Sequence, residues 1–328
     1  KKSYACRRKE QQREIDMDYL VLENTTLKVS RLCMGGCPMG GYGWGSVRED
    51  ELLAAIHAAL DVGVNFFDTA DTYGLGQSER TLAKGLGTHR KDAVIETKFG
   101  VRAGNGQTFY DNSPEYIRKA LEGSLRRLNT DYVDVYTIHY RDGKTPIEDV
   151  LGELDKLKEA GKIRFFGLSN IHANGMNELR PYAGRFACCQ DELSLACRKN
   201  EQDLLAAQDI LKTTPMTWGS LGQGILTGKY TKGNIDFGAD DRRSRDIYIN
   251  FHGEKLERNM QTVEVLRKIA TERGKSISAC AIRWILDSMP GSVVIAGIKR
   301  PAQIISNAEA VGWTLNSDEL RELNEVSK

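Results

Sequence analysis

Short runs of apolar, β-branched and aromatic residues alternate along this chain with longer segments whose apolar residues recur every three or four positions. The short runs predict buried strands: RLCMG at 31–35, VNFFD at 64–68, AVIETK at 93–98, VDVYTIH at 133–139, IRFFGLS at 163–169, FACCQ at 186–190, PMTWG at 215–219 and VVIAG at 293–297. The longer segments predict helices with one buried face. In EDELLAAIHAALDVG that face carries Leu52, Leu53, Ile56, Ala59 and Leu60, and Gly63 stops the helix. Ser113 and Pro114 open a second helix as N-cap and first helical residue, with Ile117, Leu121, Leu125 and Leu128 on its buried side. Thr145, Pro146 and Ile147 open a third, which runs through Leu157 and ends at Gly161. Strand, helix, strand repeats with short links imply parallel pairing and an α/β fold. The length of 328 residues suits one (β/α)8 TIM barrel, typically ~250 residues plus insertions.

Composition narrows the function. A 40% hydrophobic content supports a substantial core, and 46 Lys plus Arg against 45 Asp plus Glu leaves a net charge of +1. That balance gives no electrostatic reason to expect nucleic acid or an anionic membrane, so a small-molecule partner fits better. The longest apolar stretches, AVIETKF and VVIAGI, fall far short of the ~20 residues that span a bilayer. No signal-peptide hydrophobic region follows the basic start, which places the protein in the cytoplasm by expectation. Residues 1–16, KKSYACRRKEQQREID, lack apolar periodicity and are expected to form a disordered extension before a single domain at 17–328.

Seven cysteines without a CxxC pair suggest neither a disulfide framework nor a thiolate metal site, so free thiols are expected. No histidine neighbours Cys33 and Cys37 in sequence, and the five histidines are scattered at 57, 89, 139, 172 and 252, so no metal is expected.

Four ionisable residues close successive predicted strands: Asp68 and Tyr73 in NFFDTADTYG, Lys98 in AVIETKFG and His139 in VDVYTIHY. A parallel barrel would gather them at the carboxyl end of its strands, where such folds keep their chemistry. They read as one proton-transfer site. Lys98 would lower the phenol pKa of Tyr73 from its free value of about 10. Asp68 would hold Lys98 charged, His139 would donate a hydrogen bond to a carbonyl oxygen, and Tyr73 would be the general acid.

These positions, with NFFDTADTYGLGQSE, SLRRLNTDYVDVYTIHY and GKIRFFGLSN in that order, resemble the aldo-keto reductases over nearly the whole chain after Met17. The resemblance implies a hairpin, YLVLENTTLKVS with Asn24 near its turn, plugging the barrel bottom. It also implies NADP(H)-dependent reduction of an aldehyde or ketone to an alcohol, or the reverse, with Asp68, Tyr73, Lys98 and His139 as catalytic residues. The family extends to the β subunits of potassium channels, which leaves a cofactor-binding regulatory subunit with little turnover as the alternative.

No GxGxxG follows the first strand, so the cofactor would not sit in a Rossmann site. Barrels often build phosphate sites from the loops after strands seven and eight plus a helix start, here GSLGQGILTGK and GIKRPAQIISN. Gly219, Ser220, Leu221, Gly222 and Gly224 would let backbone amides approach a pyrophosphate. Gly297, Lys299 and Arg300 precede a helix opening at Pro301, and the two cations suit an adenosine 2'-phosphate, favouring NADPH over NADH. By resemblance, Gln303 and Asn307 would contact the adenine end, and Ser169, Asn170 and Gln190 the nicotinamide carboxamide. Trp218 stands where the family usually has a ring-stacking tyrosine. The family commonly shows Ser and Pro next, whereas Gly219 and Ser220 stand here, so Ser220 would supply the hydroxyl. Ordinary structural roles stay open for these residues: exposed helix positions for Gln303 and Asn307, a helix cap for Ser169 and Asn170, and barrel core for Trp218.

On the substrate side, Tyr42 and Trp44 in GCPMGGYGWGS would pack on a substrate ring. Arg141, close to His139, either lines the pocket for a polar or anionic substrate or faces solvent at the rim. The polar stretch 229–252 reads as a solvated loop, a cover over the dinucleotide or an oligomer contact, and homo-oligomerisation stays open.

Overall fold

The computed structural model describes residues 16–104, 107–231, 233–235, 237–238 and 241–328. The extension expected at 1–16 lies, apart from Asp16, outside the described residues.

A hairpin of β1 (Tyr19–Val21) and β2 (Lys28–Ser30) precedes β3 (Leu32–Gly35), β4 (Phe66–Asp68) and β5 (Val94–Phe99). A second hairpin, β6 (Val101–Gly104) and β7 (Gln107–Tyr110), follows. Then come β8 (Val133–Ile138), β9 (Ile163–Ser169), β10 (Cys188–Glu192), β11 (Thr214–Trp218) and β12 (Val293–Gly297). Strands β3, β4, β5, β8, β9, β10, β11 and β12 pair in parallel, and β12 pairs with β3 to close the eight-stranded barrel. This is the expected (β/α)8 architecture.

The strands are buried on both faces, which is why they read as continuous apolar runs. Outward residues such as Phe67, Ile95 and Tyr136 pack under helices in one cluster. Inward residues such as Cys33, Phe66, Val135, Met216 and Val293 fill the lower barrel in another, together with Leu22, Leu27 and Val29 of the first hairpin. The hairpin therefore plugs the barrel bottom. Asn24, with φ 57°, sits in its turn, and its Nδ2 donates to Phe186 O at 2.9 Å and Lys212 O at 2.7 Å.

Helix Glu49–Asp61 buries Leu52, Ala55, Ile56 and Ala59, so Ala55 occupies the face where Leu53 was expected. Ser113 caps helix Pro114–Leu128 by accepting from Tyr116 N at 3.3 Å. Strand β10 begins two residues later than its apolar run. The β6–β7 hairpin was not expected, and every residue of β7 is exposed.

Candidate active site

Asp68 ends β4, Lys98 lies one residue before the end of β5, and His139 directly follows β8. Since Asp68 pairs with Glu96 and Lys98 with Thr137, these strand ends are neighbours around the barrel mouth. The Lys98 ammonium donates to the Asp68 carboxylate and, at 2.9 Å, to Thr69 O. Gln190 Nε2 donates to Asp68 Oδ1 at 3.1 Å. Tyr73 arrives on the turn after β4. That turn fits because Gly74, at φ 60°, lies back to back with Gly40, where a Cβ would come 2.0 Å from the Gly40 oxygen. Lys98 Nζ lies 5.3 Å from the centre of the Tyr73 ring. Tyr73 and His139 meet edge to face, centroids 6.0 Å apart at 84°. Asn170 Nδ2 braces this wall by donating to His139 O at 3.0 Å and Ser169 Oγ at 2.9 Å.

Burial pulls the Lys98 pKa down, but Asp68, Tyr73 and Glu96 together outweigh it, so the ammonium stays charged. For Tyr73 the balance differs from expectation. Burial raises the phenol pKa more than Lys98 lowers it, with Asp68 adding to the rise, so Tyr73 holds its proton at neutral pH. Burial, aided by Lys98, takes His139 down to about 3. Its imidazole is therefore neutral, and its buried Nδ1 has no hydrogen-bond partner among the described residues.

A cavity of about 710 Å³ opens over these groups. Asp68, Tyr73, Lys98, His139, Ser169, Asn170, Gln190 and Trp218 line its inner part, while Gly219, Ser220, Leu221, Gly224, Gly297, Lys299, Gln303 and Asn307 line its extension toward the β11 and β12 loops. Gln303 Oε1 accepts from Lys299 N at 2.7 Å and Arg300 N at 3.1 Å, fixing that loop. Asn307 presents a buried Nδ2 with no partner among the described residues. The Ser220 hydroxyl is turned back onto Thr217 O at 2.8 Å.

Four expected residues do not line this cavity. Gly222 packs behind it, where a Cβ would meet Ala196 and Ile225 at 2.8 Å. Arg300 sits outside, its Nε on Glu51 Oε2 at 3.2 Å. Tyr42 is 64% exposed. Arg141 spends its guanidinium on Glu178 Oε1 at 2.7 Å, Thr145 O at 2.8 Å and Asn112 Oδ1 at 3.1 Å, so it buttresses a loop instead of facing the pocket. Trp44 does line the cavity.

Sequence reasoning weighed Cys37 only as a metal ligand and did not single out Arg242, Arg243 and Tyr248, all four of which line it. Arg242 lies 4.6 Å over the Trp44 ring and 5.8 Å from that of Tyr248, and its backbone N donates to Gly43 O at 3.2 Å. Lys299 Nζ donates to Trp44 O at 2.6 Å. Lys229, Arg242, Arg243 and Tyr248 of the 229–252 stretch thus form one wall of the cavity against the loop after β3. Paired arginines beside aromatic residues in ADDRRSRDIYINFHG were the available signal. Among the described residues no group of side chains is arranged to hold a metal, and no helix is long and apolar enough to cross a membrane.

A family model described as Aldo/keto reductase family matches residues 31–328. Aldo-keto reductase YhdN of Bacillus subtilis strain 168 is 34% identical over 313 residues, covering 94% of this chain and 93% of that protein. A probable voltage-gated potassium channel subunit beta of Oryza sativa subsp. japonica is 33% identical over 305 residues, covering 90% of this chain and 91% of that protein. The solved structure of a glycerol dehydrogenase from Gluconobacter oxydans is similar with a TM-score of 0.84 at 35% identity, covering 94% of each chain.

Proposed function

Because this chain belongs to the aldo/keto reductase family of oxidoreductases, we propose that it moves hydride between NADPH and an aldehyde or ketone carbonyl, with Tyr73 exchanging the proton. The observation that carries this reading is the convergence of a protonated phenol, a buried ammonium and a neutral imidazole on one cavity. The nicotinamide would supply hydride to the carbonyl carbon. Tyr73 then gives its proton to the carbonyl oxygen, and Lys98 stabilises the phenolate left behind. His139, neutral, holds the carbonyl oxygen through a ring N–H without competing for the proton. Asp68 keeps Lys98 charged and in place. In the reverse direction the Tyr73 phenolate accepts the alcohol proton.

The cavity lining fits the dinucleotide. Asn170 and Gln190 use their amide nitrogens on His139 O and Asp68, which leaves their oxygens, with Ser169, for a carboxamide. The unpartnered Nδ2 of Asn307 suits an acceptor nitrogen of adenine. Lys299 lines the cavity, and this cation supports a 2'-phosphate and hence NADPH over NADH, while the adjacent Arg300 lies outside on Glu51.

The similarity to a potassium channel β subunit favours one second reading, a cofactor-binding regulatory protein with little turnover. Fluorescence titration with NADPH and NADH, followed by hydride consumption against aldehydes, ketones and sugars, separates the two. Binding with turnover supports the reductase, binding alone supports the regulatory reading, and absence of binding overturns both.

A further inference from the structure

Glu96 lies two residues before Lys98 on β5, so both side chains enter the barrel interior, Glu96 one layer deeper. It is wholly buried. Its Oε1 accepts from the Thr137 hydroxyl on β8 and, at 3.7 Å, from the Cys188 thiol on β10. Gly167 on the intervening β9 makes room for this, since a Cβ there would fall 2.7 Å from both Thr137 Oγ1 and Cys188 Sγ. Its Oε2 is buried with no partner among the described residues. A carboxylate spreads its charge over both oxygens, so an Oε2 without a donor would leave half of that charge unsolvated. A neutral carboxylic acid suits the site.

The groups facing Glu96 come from five strands: Cys33 on β3, Asp68 on β4, Lys98 on its own strand, Thr137 on β8, and Cys188 and Gln190 on β10. Asp68 and Lys98 already balance one another. An ionised Glu96 would give the cluster a net negative charge, and a protonated one leaves it neutral. Burial pushes its pKa up to about 7, with Lys98 and the hydrogen bonds from Thr137 and Gln190 opposing the rise and Asp68 adding to it.

We propose that Glu96 carries a proton in the resting site and releases it as pH rises through neutrality, acting as a positioning residue that sets the charge around Lys98 and thereby the acidity of Tyr73. The inference rests on Tyr73 being the proton donor. Once Glu96 is ionised, the added negative charge makes Tyr73 a weaker acid and slows reduction.

Two measurements on the full chain test this. Infrared titration of the carboxylic-acid C=O band is expected to lose intensity near pH 7. Asp71, raised to about 7, and Asp191, raised to about 6, contribute to the same band. The Glu96 component is therefore identified by its loss in Glu96→Gln and by its move to higher pH in Thr137→Val, which removes a donor that favours the carboxylate. In the second measurement, the kcat/KM profile for reduction is expected to step down near neutrality in the wild type and to lose that step in Glu96→Gln. If Glu96→Gln changes neither the infrared titration nor the step, Glu96 is ionised or inert and the inference is overturned. The infrared arm needs no turnover. A protein that titrates as expected but reduces nothing would overturn the Tyr73 reading instead, and Thr137→Val keeps the test open should Glu96→Gln fail to fold.

Discussion

Lys98 and Asp68 form an ion pair inside the barrel with only 2% and 5% of their side chains exposed. At that depth the two charges depend on each other. Removing one partner leaves an uncompensated buried charge, a loss of about 3–5 kcal/mol, whereas replacing both with apolar residues is far less damaging. Lys98→Met is therefore expected to lower the thermal midpoint strongly, and Lys98→Met with Asp68→Leu to recover much of the loss. A single variant as stable as the wild type would show that the pair carries no buried charge.

Tyr73→Phe removes one hydroxyl and little volume. Loss of a positioned general acid lowers turnover by roughly 10²–10⁴-fold, while NADPH affinity in a fluorescence titration is expected to stay where it was. Turnover that survives the change would assign the proton to another group.

His139 makes stability depend on pH in a definite direction. Its folded-state pKa of about 3 lies below the unfolded value of 6.5, so its contribution is full above 6.5 and is lost as pH falls toward 3. Asp71 and Asp191 act with the opposite sign, favouring the fold at low pH and losing that effect as pH rises through about 7 and 6. The check is accordingly a difference: between pH 6.5 and 4, the midpoint of His139→Gln should fall less than that of the wild type. Parallel curves would mean that His139 is not held neutral.

Lys299 and Arg300 occupy different environments despite being adjacent. Lys299 lines the cavity and donates to Trp44 O, while Arg300 lies outside it and pairs with Glu51. Lys299→Ala is expected to weaken NADPH binding more than NADH binding, and Arg300→Ala to produce the smaller change of the two. Equal losses for both dinucleotides in isothermal titration would remove the 2'-phosphate from the account of this site.

Arg141→Leu tests the reassigned arginine. Because its guanidinium holds Glu178, Thr145 and Asn112 together, the expected result is a lower thermal midpoint with substrate KM within about twofold of the wild type, the partly buried Arg141–Glu178 pair being worth about 1 kcal/mol. A selective rise in KM for anionic substrates would return it to the pocket.

The barrel was legible because a strand buried on both faces must be apolar throughout. All eight barrel strands surface as such runs, and Asp68, Lys98 and His139 stand out because each breaks a run at its end. The β7 strand of the β6–β7 hairpin is exposed throughout, so the hairpin left no comparable trace. Glu96 lay in plain view as a charge inside the run AVIETK, at the same parity as Lys98, but was read only as part of a strand. Its meaning depends on Thr137 and Cys188, which come from other strands. Arg141 and Arg242 are similar cases. Their roles are set by Glu178 and Trp44, partners that no local pattern brings together.

The Trp44 contacts make three loops a single mechanical unit. Its carbonyl takes the Lys299 ammonium from the loop after β12, and its ring takes the Arg242 guanidinium from the stretch after β11. Redesign of substrate range by transplanting the loop after β3 alone would strand both cations, and the disturbance would reach the cofactor end of the cavity. A graft that brings all three loops from one donor keeps those contacts internal to the transplanted set, so loop exchange here is better planned by triplets than one segment at a time.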